Sequence, residues 1–366
     1  MRRGRIRPGT RALLLALVLA TTACATAGGG TSGGVLQQRS DRPWPVRSRY
    51  HVDLWLHGFA MLQDDTAQVP FFRRGYREQI ATRKNSANVI TQLDLNRDVL
   101  RTRMRTNPEL TNSQFLALYF GSWEDLYIAI QTFLQTGGDP RRASDARTQA
   151  IVATLAAAFP TAADREWVRT FATSMRDEDE KFYRAYWNQQ QRERAVVLAR
   201  LDTMWSNQYY PKLRGYLNGT RLTAGDFLVS LPLDGEGRTV TPSGGGTAIT
   251  TSFPDNEGAA VEAIYVFAHE AASQVAGSAV NDNITPSEQR SGVGARYTSS
   301  ALVRGGHMLL ERVAPELADG YARYYLRSAN ASVTGDAKAA LARTFPLPDT
   351  IRDALDRQLE VVLGGI

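Results

Sequence analysis

Helical periodicity fills the chain from Tyr50 to about Gly215 and breaks off at Asn218-Gly219. Beyond that point come three short β-branched or apolar runs, FLVSL (227–231), RTVT (238–241) and AITTSF (248–253), parted by Gly and Pro. Such runs are strand signals, and the spacing predicts two or three antiparallel strands. Helical pattern returns at Gly258, runs past Gln274, and recurs over 299–313, 315–326 and 349–363. A long helical block, a small sheet and more helices define an α+β, mainly helical chain.

Within the first block, apolar positions predict helices over 51–62, 112–135, 144–159 and 161–174, and one long amphipathic helix over 177–205. Asp177, Glu178, Asp179 and Glu180 stand at the start of the last, where a helix dipole favours acids.

The first residues obey other rules. Arg2, Arg3, Arg5, Arg7 and Arg11 precede a short apolar run, ALLLALVLA (12–20), and then Thr21-Thr22-Ala23-Cys24. A basic start, a short apolar core and small residues make a secretory signal. The run is too short to span a bilayer. Its end resembles the lipobox of bacterial lipoproteins, with Thr21 where Leu is usual. That resemblance implies cleavage after residue 23, lipidation of Cys24 (the one cysteine) and attachment to a membrane surface outside the cytoplasm. Ala25 rather than Asp follows the cysteine, which by resemblance to enterobacterial lipoproteins favours the outer membrane. The Gly, Ser, Thr and Pro content of 25–47 predicts a flexible tether, with order beginning near Tyr50.

The five signal arginines account for all but one of the six net positive charges. The remainder carries no cationic excess for phosphate backbones, so nucleic acid is not an expected partner. Arg73, Arg74, Arg101, Arg103 and Arg105 lack interleaved stacking aromatics and read as solvated faces. Gly244-Gly245-Gly246 lacks the Lys-Ser/Thr of a phosphate loop, and no G-x-S-x-G occurs.

Four histidines limit any imidazole chemistry: His51, His57, His269 and His307. His51 and His57 lie six apart on different faces of one helix and are expected to be structural. His269 is followed by Glu270 inside an amphipathic pattern (VFAHEAASQVAG). A later helix carries His307 and Glu311, four apart and so on one face. Strands, a His-Glu helix and a second helix with a downstream Glu resemble the metal site of gluzincin metallopeptidases over roughly 226–326. In that family H-E-x-x-H supplies two zinc ligands, and its Glu activates a metal-bound water.

The resemblance implies His269 as first ligand, Glu270 as catalytic base and Glu311 as downstream ligand. It implies an edge strand at 227–231 or 248–253 holding peptide by backbone pairing. Tyr297, Tyr321 and Tyr324 are candidates to stabilise an oxyanion. The chain departs from the pattern at the second ligand, where the motif reads H-E-A-A-S with Ser273 in place of His. A serine hydroxyl is a poor zinc ligand. His307 is a possible substitute; otherwise the scaffold has lost its metal.

The organisation expected is therefore a signal (1–23), a lipidated Cys24 with tether (24–49), a helical region (50–217), a zincin-like unit with a small antiparallel sheet and metal-site helices (218–330), and a C-terminal helical segment (331–366). The expected function is a membrane-anchored metallopeptidase-type protein with impaired or lost zinc hydrolysis. The alternative is a non-catalytic envelope lipoprotein that binds a peptide, a cell-wall fragment or a protein.

Overall fold

A computed structural model describes residues 43–64, 67–242, 246–333 and 335–364. The signal, Cys24 and the tether as far as residue 42 lie outside the described residues. The described chain does not wait for Tyr50. Trp44 is buried, its ring edge-on to Phe267, and a two-residue strand β1 (Val46–Arg47) pairs with the sheet. The end of the segment expected as tether is thus built into the core.

Helix α1 (Tyr50–Leu62) is buried at every position from His51 to Leu62. A helix buried on all sides belongs at the centre of a bundle. Around it pack α2 (Tyr76–Ser86), α3 (Gln92–Thr106), a 3₁₀ stretch (Pro108–Tyr119), α4 (Trp123–Gln135) and α6 (Ala162–Glu178), with α5 (Ala146–Ala158) against α4 and the 3₁₀ stretch. The single helix expected over 112–135 is divided, because Phe120 is extended and Ser122 caps α4 by accepting from the Asp125 amide. Thr91 with Asp94, and Thr161 with Asp164, form capping boxes that fix where α3 and α6 begin.

The long helix expected from Asp177 does not begin there. Helix α6 runs through Glu178 into a π-turn (Asp179–Tyr183), then α7 (Arg184–Glu193), α8 (Ala195–Met204), a second π-turn (Trp205–Tyr209) and α9 (Tyr210–Gly219). The four acids therefore sit inside a helical run, not at a positive helix end. Glu178 is fully buried against His57 and Lys84, and Asp179 bonds Tyr50 and Arg184. The boundary expected between residues 217 and 218 falls inside α9.

The sheet adds β2 (Gly225–Ser230), β3 (Arg238–Val240) and β4 (Thr247–Ser252), in the order β1-β2-β4-β3. The strands fall where the sequence places them, but the sheet is mixed rather than antiparallel. β2 and β4 run parallel from Gly225↔Thr247 to Ser230↔Ser252, and only β3 is antiparallel to β4. β4 inserts between β2 and β3. β2 from Asp226 onward and all of β4 are buried, the continuous burial of interior strands. The edges are the two-residue β1 and β3, not either of the runs expected there.

After the sheet come α10 (Ala260–Ala271), α11 (Ser273–Asn281), α12 (Pro286–Arg290), α13 (Val293–Val313), α14 (Ala318–Ser328), α15 (Ala337–Thr344) and α16 (Asp349–Gly364). Pro315 opens a short 3₁₀ turn before α14, a position its fixed φ suits. Helix α10 lies on β3 and β4 and meets α8 on another side. Phe267, Trp205 and Phe227 form one aromatic cluster that locks helix to sheet, with centroids 4.4–5.1 Å apart. Among the described residues no helix is long and apolar enough to cross a membrane.

Candidate metal centre

The last turn of α10 carries His269 and Glu270 into the interior, where His269 is fully buried and Glu270 nearly so. The loop from β2 to β3 brings a third group, Glu236. That loop is pinned on several sides. The Asp234 amide donates to Phe71 O (2.8 Å), the Glu236 amide to Pro70 O (3.1 Å), and Tyr325 OH to Gly235 O (3.0 Å). Gly237 passes so close to α10 that a Cβ there would lie 2.8 Å from Glu270 Cγ and collide with Thr250 O. A glycine is required for the loop to lay Glu236 beside His269.

His269 Nε2 lies 3.2 Å from Glu236 Oε2 and 3.9 Å from Glu270 Oε1. Facing two acceptors, Nε2 carries the proton and donates to Glu236. Thr239 of β3 donates to Glu270 Oε2 (3.2 Å), and Tyr325 stacks on the imidazole at 5.1 Å and 19°. Nδ1 of His269 is buried without a hydrogen-bond partner.

Burial alone would push His269 down. The Glu236 charge and hydrogen bond, with Glu270 behind them, outweigh it and hold the imidazole above its ordinary value. Burial pushes Glu270 up, Glu236 pushes the same way, and the imidazole pulls back.

Donor atoms of Glu236, His269 and Glu270 all lie within 4.8 Å of one another, a group that could hold a metal ion. Two ligand bonds of about 2.0–2.1 Å at a tetrahedral angle set donor atoms roughly 3.4 Å apart. The separations of 3.2 and 3.9 Å bracket that spacing. A nitrogen and two carboxylates also leave the group net negative, which a divalent cation neutralises. Against this, a ligating imidazole ordinarily donates its second N–H to a neighbour. Nδ1 has none, so the set fits a cation held less tightly than in a fully supported site.

Of the residues expected to act together, the structure joins His269 and Glu270 only. Glu311 and His307 are not in the group. Helix α13 meets α10 through two glycines: a Cβ on Gly306 would come within 3.0 Å of the His269 Cα, and one on Gly305 within 3.4 Å of the Ala272 Cβ. His307 and Glu311 leave from the neighbouring face. His307 Nδ1 lies 3.5 Å from Glu311 Oε2, while Lys338 takes the other carboxylate oxygen. Two tyrosines fill the space between the imidazoles: His307 packs on Tyr321, Tyr321 on Tyr325, and Tyr325 on His269.

At the position of the second family ligand the helix is interrupted: α10 ends at Ala271, and Ser273 opens α11 after the turn residue Ala272. Tyr321 OH is committed to Val303 O (2.9 Å). The sequence reading missed Glu236. Its one signal was an acid between two glycines directly before a short strand.

No family model matches the chain, and no curated protein or solved structure matches it.

Proposed function

We propose that this chain is a lipid-anchored envelope protein of zincin-like descent that holds one divalent cation, zinc foremost, through Glu236, His269 and Glu270, and binds its target without cleaving it. The observation that carries the reading is the convergence of one imidazole and two carboxylates, from a helix end and a glycine-flanked loop, in a buried place.

The chemistry of the group favours binding over hydrolysis. Zinc hydrolysis needs a carboxylate free to take a proton from the bound water. Here Glu270 faces the same point as the ligands. The third group comes from the Glu236 loop and not from a downstream helix, and both buried tyrosines between the imidazoles are committed, Tyr321 to Val303 O and Tyr325 to Gly235 O. The neighbouring strand β3 offers its outer edge to an extended peptide, with Thr239 tying that strand to Glu270. An anchored protein with a metal-braced sheet edge suits capture of an extended segment at a membrane surface.

The test is direct. Purified protein exchanged into zinc is expected to retain about one ion per chain, with Glu236→Gln retaining far less and neither form cleaving unfolded casein. Casein cleavage by the wild type that Glu270→Gln abolishes would restore the hydrolase reading. Absence of zinc from both would remove the metal. Anchoring is tested separately, since Cys24→Ser should release the protein from the membrane fraction.

A further inference from the structure

The helix face that carries His307 and Glu311 has a site of its own. Positions 304, 307, 308 and 311 recur at three- and four-residue spacing on α13 and so form one stripe. The stripe lines a cavity of about 420 Å³ walled on the other sides by α15 and α16. Arg304, His307 and Glu311 enter it from α13, Lys338 from α15, and Arg352 and Asp353 from α16.

The acids of this cavity are all taken. Glu311 pairs with Lys338 and faces His307, Asp356 pairs with Arg312 at 2.5 Å, and Asp353 shares Arg352 (2.8 Å) with Asp349 (2.7 Å). Arg304 is left over. It is half-buried, and among the described residues no hydrogen bond or ion pair reaches it. Burial and the like charge of Arg352 both work against its guanidinium, and Glu311 acts on it only at a distance. A partly desolvated guanidinium fork facing open space, with a second cation behind it, favours an oxyanion that accepts two parallel N–H bonds.

We propose that this cavity binds a phosphate group, with Arg304 as its principal ligand and Arg352, Lys338 and His307 as further donors. Three helices present donors from different directions, which suits a tetrahedral phosphate oxyanion better than a planar carboxylate. A phosphomonoester and a phospholipid headgroup share this chemistry. The proposal stands apart from the metal reading, because the tyrosine layer separates the two places and they share no residue.

The experiment is calorimetric titration of the full chain with inorganic phosphate. Saturable one-to-one binding is expected, weakened roughly tenfold or more in Arg304→Gln, the loss of a charge-assisted contact. Without ligand, Arg304→Gln should melt no lower than wild type, since it relieves the opposition of Arg352. Arg327→Gln, on another cavity, should bind phosphate as wild type does. Glycerol 3-phosphate and glycerophosphoglycerol separate the sources: preference for the monoester points to a soluble ligand, and equal binding of the diester to a lipid headgroup. No saturable binding, binding unchanged in Arg304→Gln, an equal loss in Arg327→Gln, or acetate binding as tightly as phosphate would each overturn the proposal.

Discussion

Two histidines of this chain are fully buried beside glutamate, and the charges that surround them differ. His57 Nε2 donates to Glu178 Oε1 (3.1 Å), and its Nδ1 accepts from Tyr76 OH (3.0 Å). The other oxygen of Glu178 is held by Lys84 (2.7 Å) and Thr91. Both ring nitrogens of that imidazole are satisfied, and the Lys84 ammonium stands behind the carboxylate, shared with Asp94 (2.8 Å). Burial and the Lys84 charge hold His57 below its ordinary value despite Glu178. Glu178 is held low by His57 and Lys84, although burial opposes it.

His269 instead meets two carboxylates with no lysine behind them, and its Nδ1 has no partner. Its titration therefore moves the opposite way. The first network is closed and structural. The second lacks one positive charge, and that deficit makes it chemically open.

The largest expected effect separates the two on stability. Lys84→Met leaves Glu178 buried without its cation and should cost about 3–5 kcal/mol in chemical denaturation. Glu236→Gln removes one of two like charges and should cost under about 1 kcal/mol without metal. Equal losses would erase the distinction.

Next in size is linkage to the cation. Zinc at a hundredfold excess over its dissociation constant should stabilise the wild type by about 2.7 kcal/mol, and Glu236→Gln hardly at all. Thermal melts with and without zinc read this.

The pH dependence sharpens the contrast further. His269 is raised in the folded state, so its contribution is complete below the unfolded value of 6.5 and is lost as pH rises through the folded one. His57 is lowered, so its contribution is present above 6.5 and fades as pH falls through the folded one. Each slope is bounded at about 1.4 kcal/mol per pH unit. Metal-free His269→Gln should flatten the loss of stability above neutrality. His57→Gln should reduce the loss on the acid side, leaving the part due to His51, which burial pushes down to about 4. Denaturation series from pH 5 to 9 would show both, and matching slopes for the two variants would contradict the assignment.

The smallest effect concerns the position that breaks the zincin motif. Ser273→His should leave zinc affinity unchanged, because Ala272 turns the chain before Ser273 begins the next helix. A gain of tenfold or more would show that a continuous helix forms there.

Much of the secondary structure was legible, because burial leaves a periodic trace. Helix α1, the strand positions and the last helix all follow from apolar spacing. Strand direction was not, since Ile and Thr at 247–252 fit a parallel interior strand as well as an antiparallel one. Two of the site's three residues were legible: His269 and Glu270 are adjacent in sequence. Glu236 was hidden because its place depends on a loop threaded past Gly237 and tied to Pro70, Phe71 and Tyr325. Glu311 misled because four-residue spacing shows which face it shares with His307, not which neighbour that face meets. Glu178 was misread as a helix-end acid because nothing local distinguishes a start from a π-turn inside a longer run.

X-ray absorption at the zinc edge of the loaded protein addresses the metal centre most directly. One imidazole shell with oxygen donors, lost in Glu236→Gln, is the outcome expected. Two or more imidazoles per zinc, or a spectrum that Glu236→Gln leaves unchanged, would contradict it.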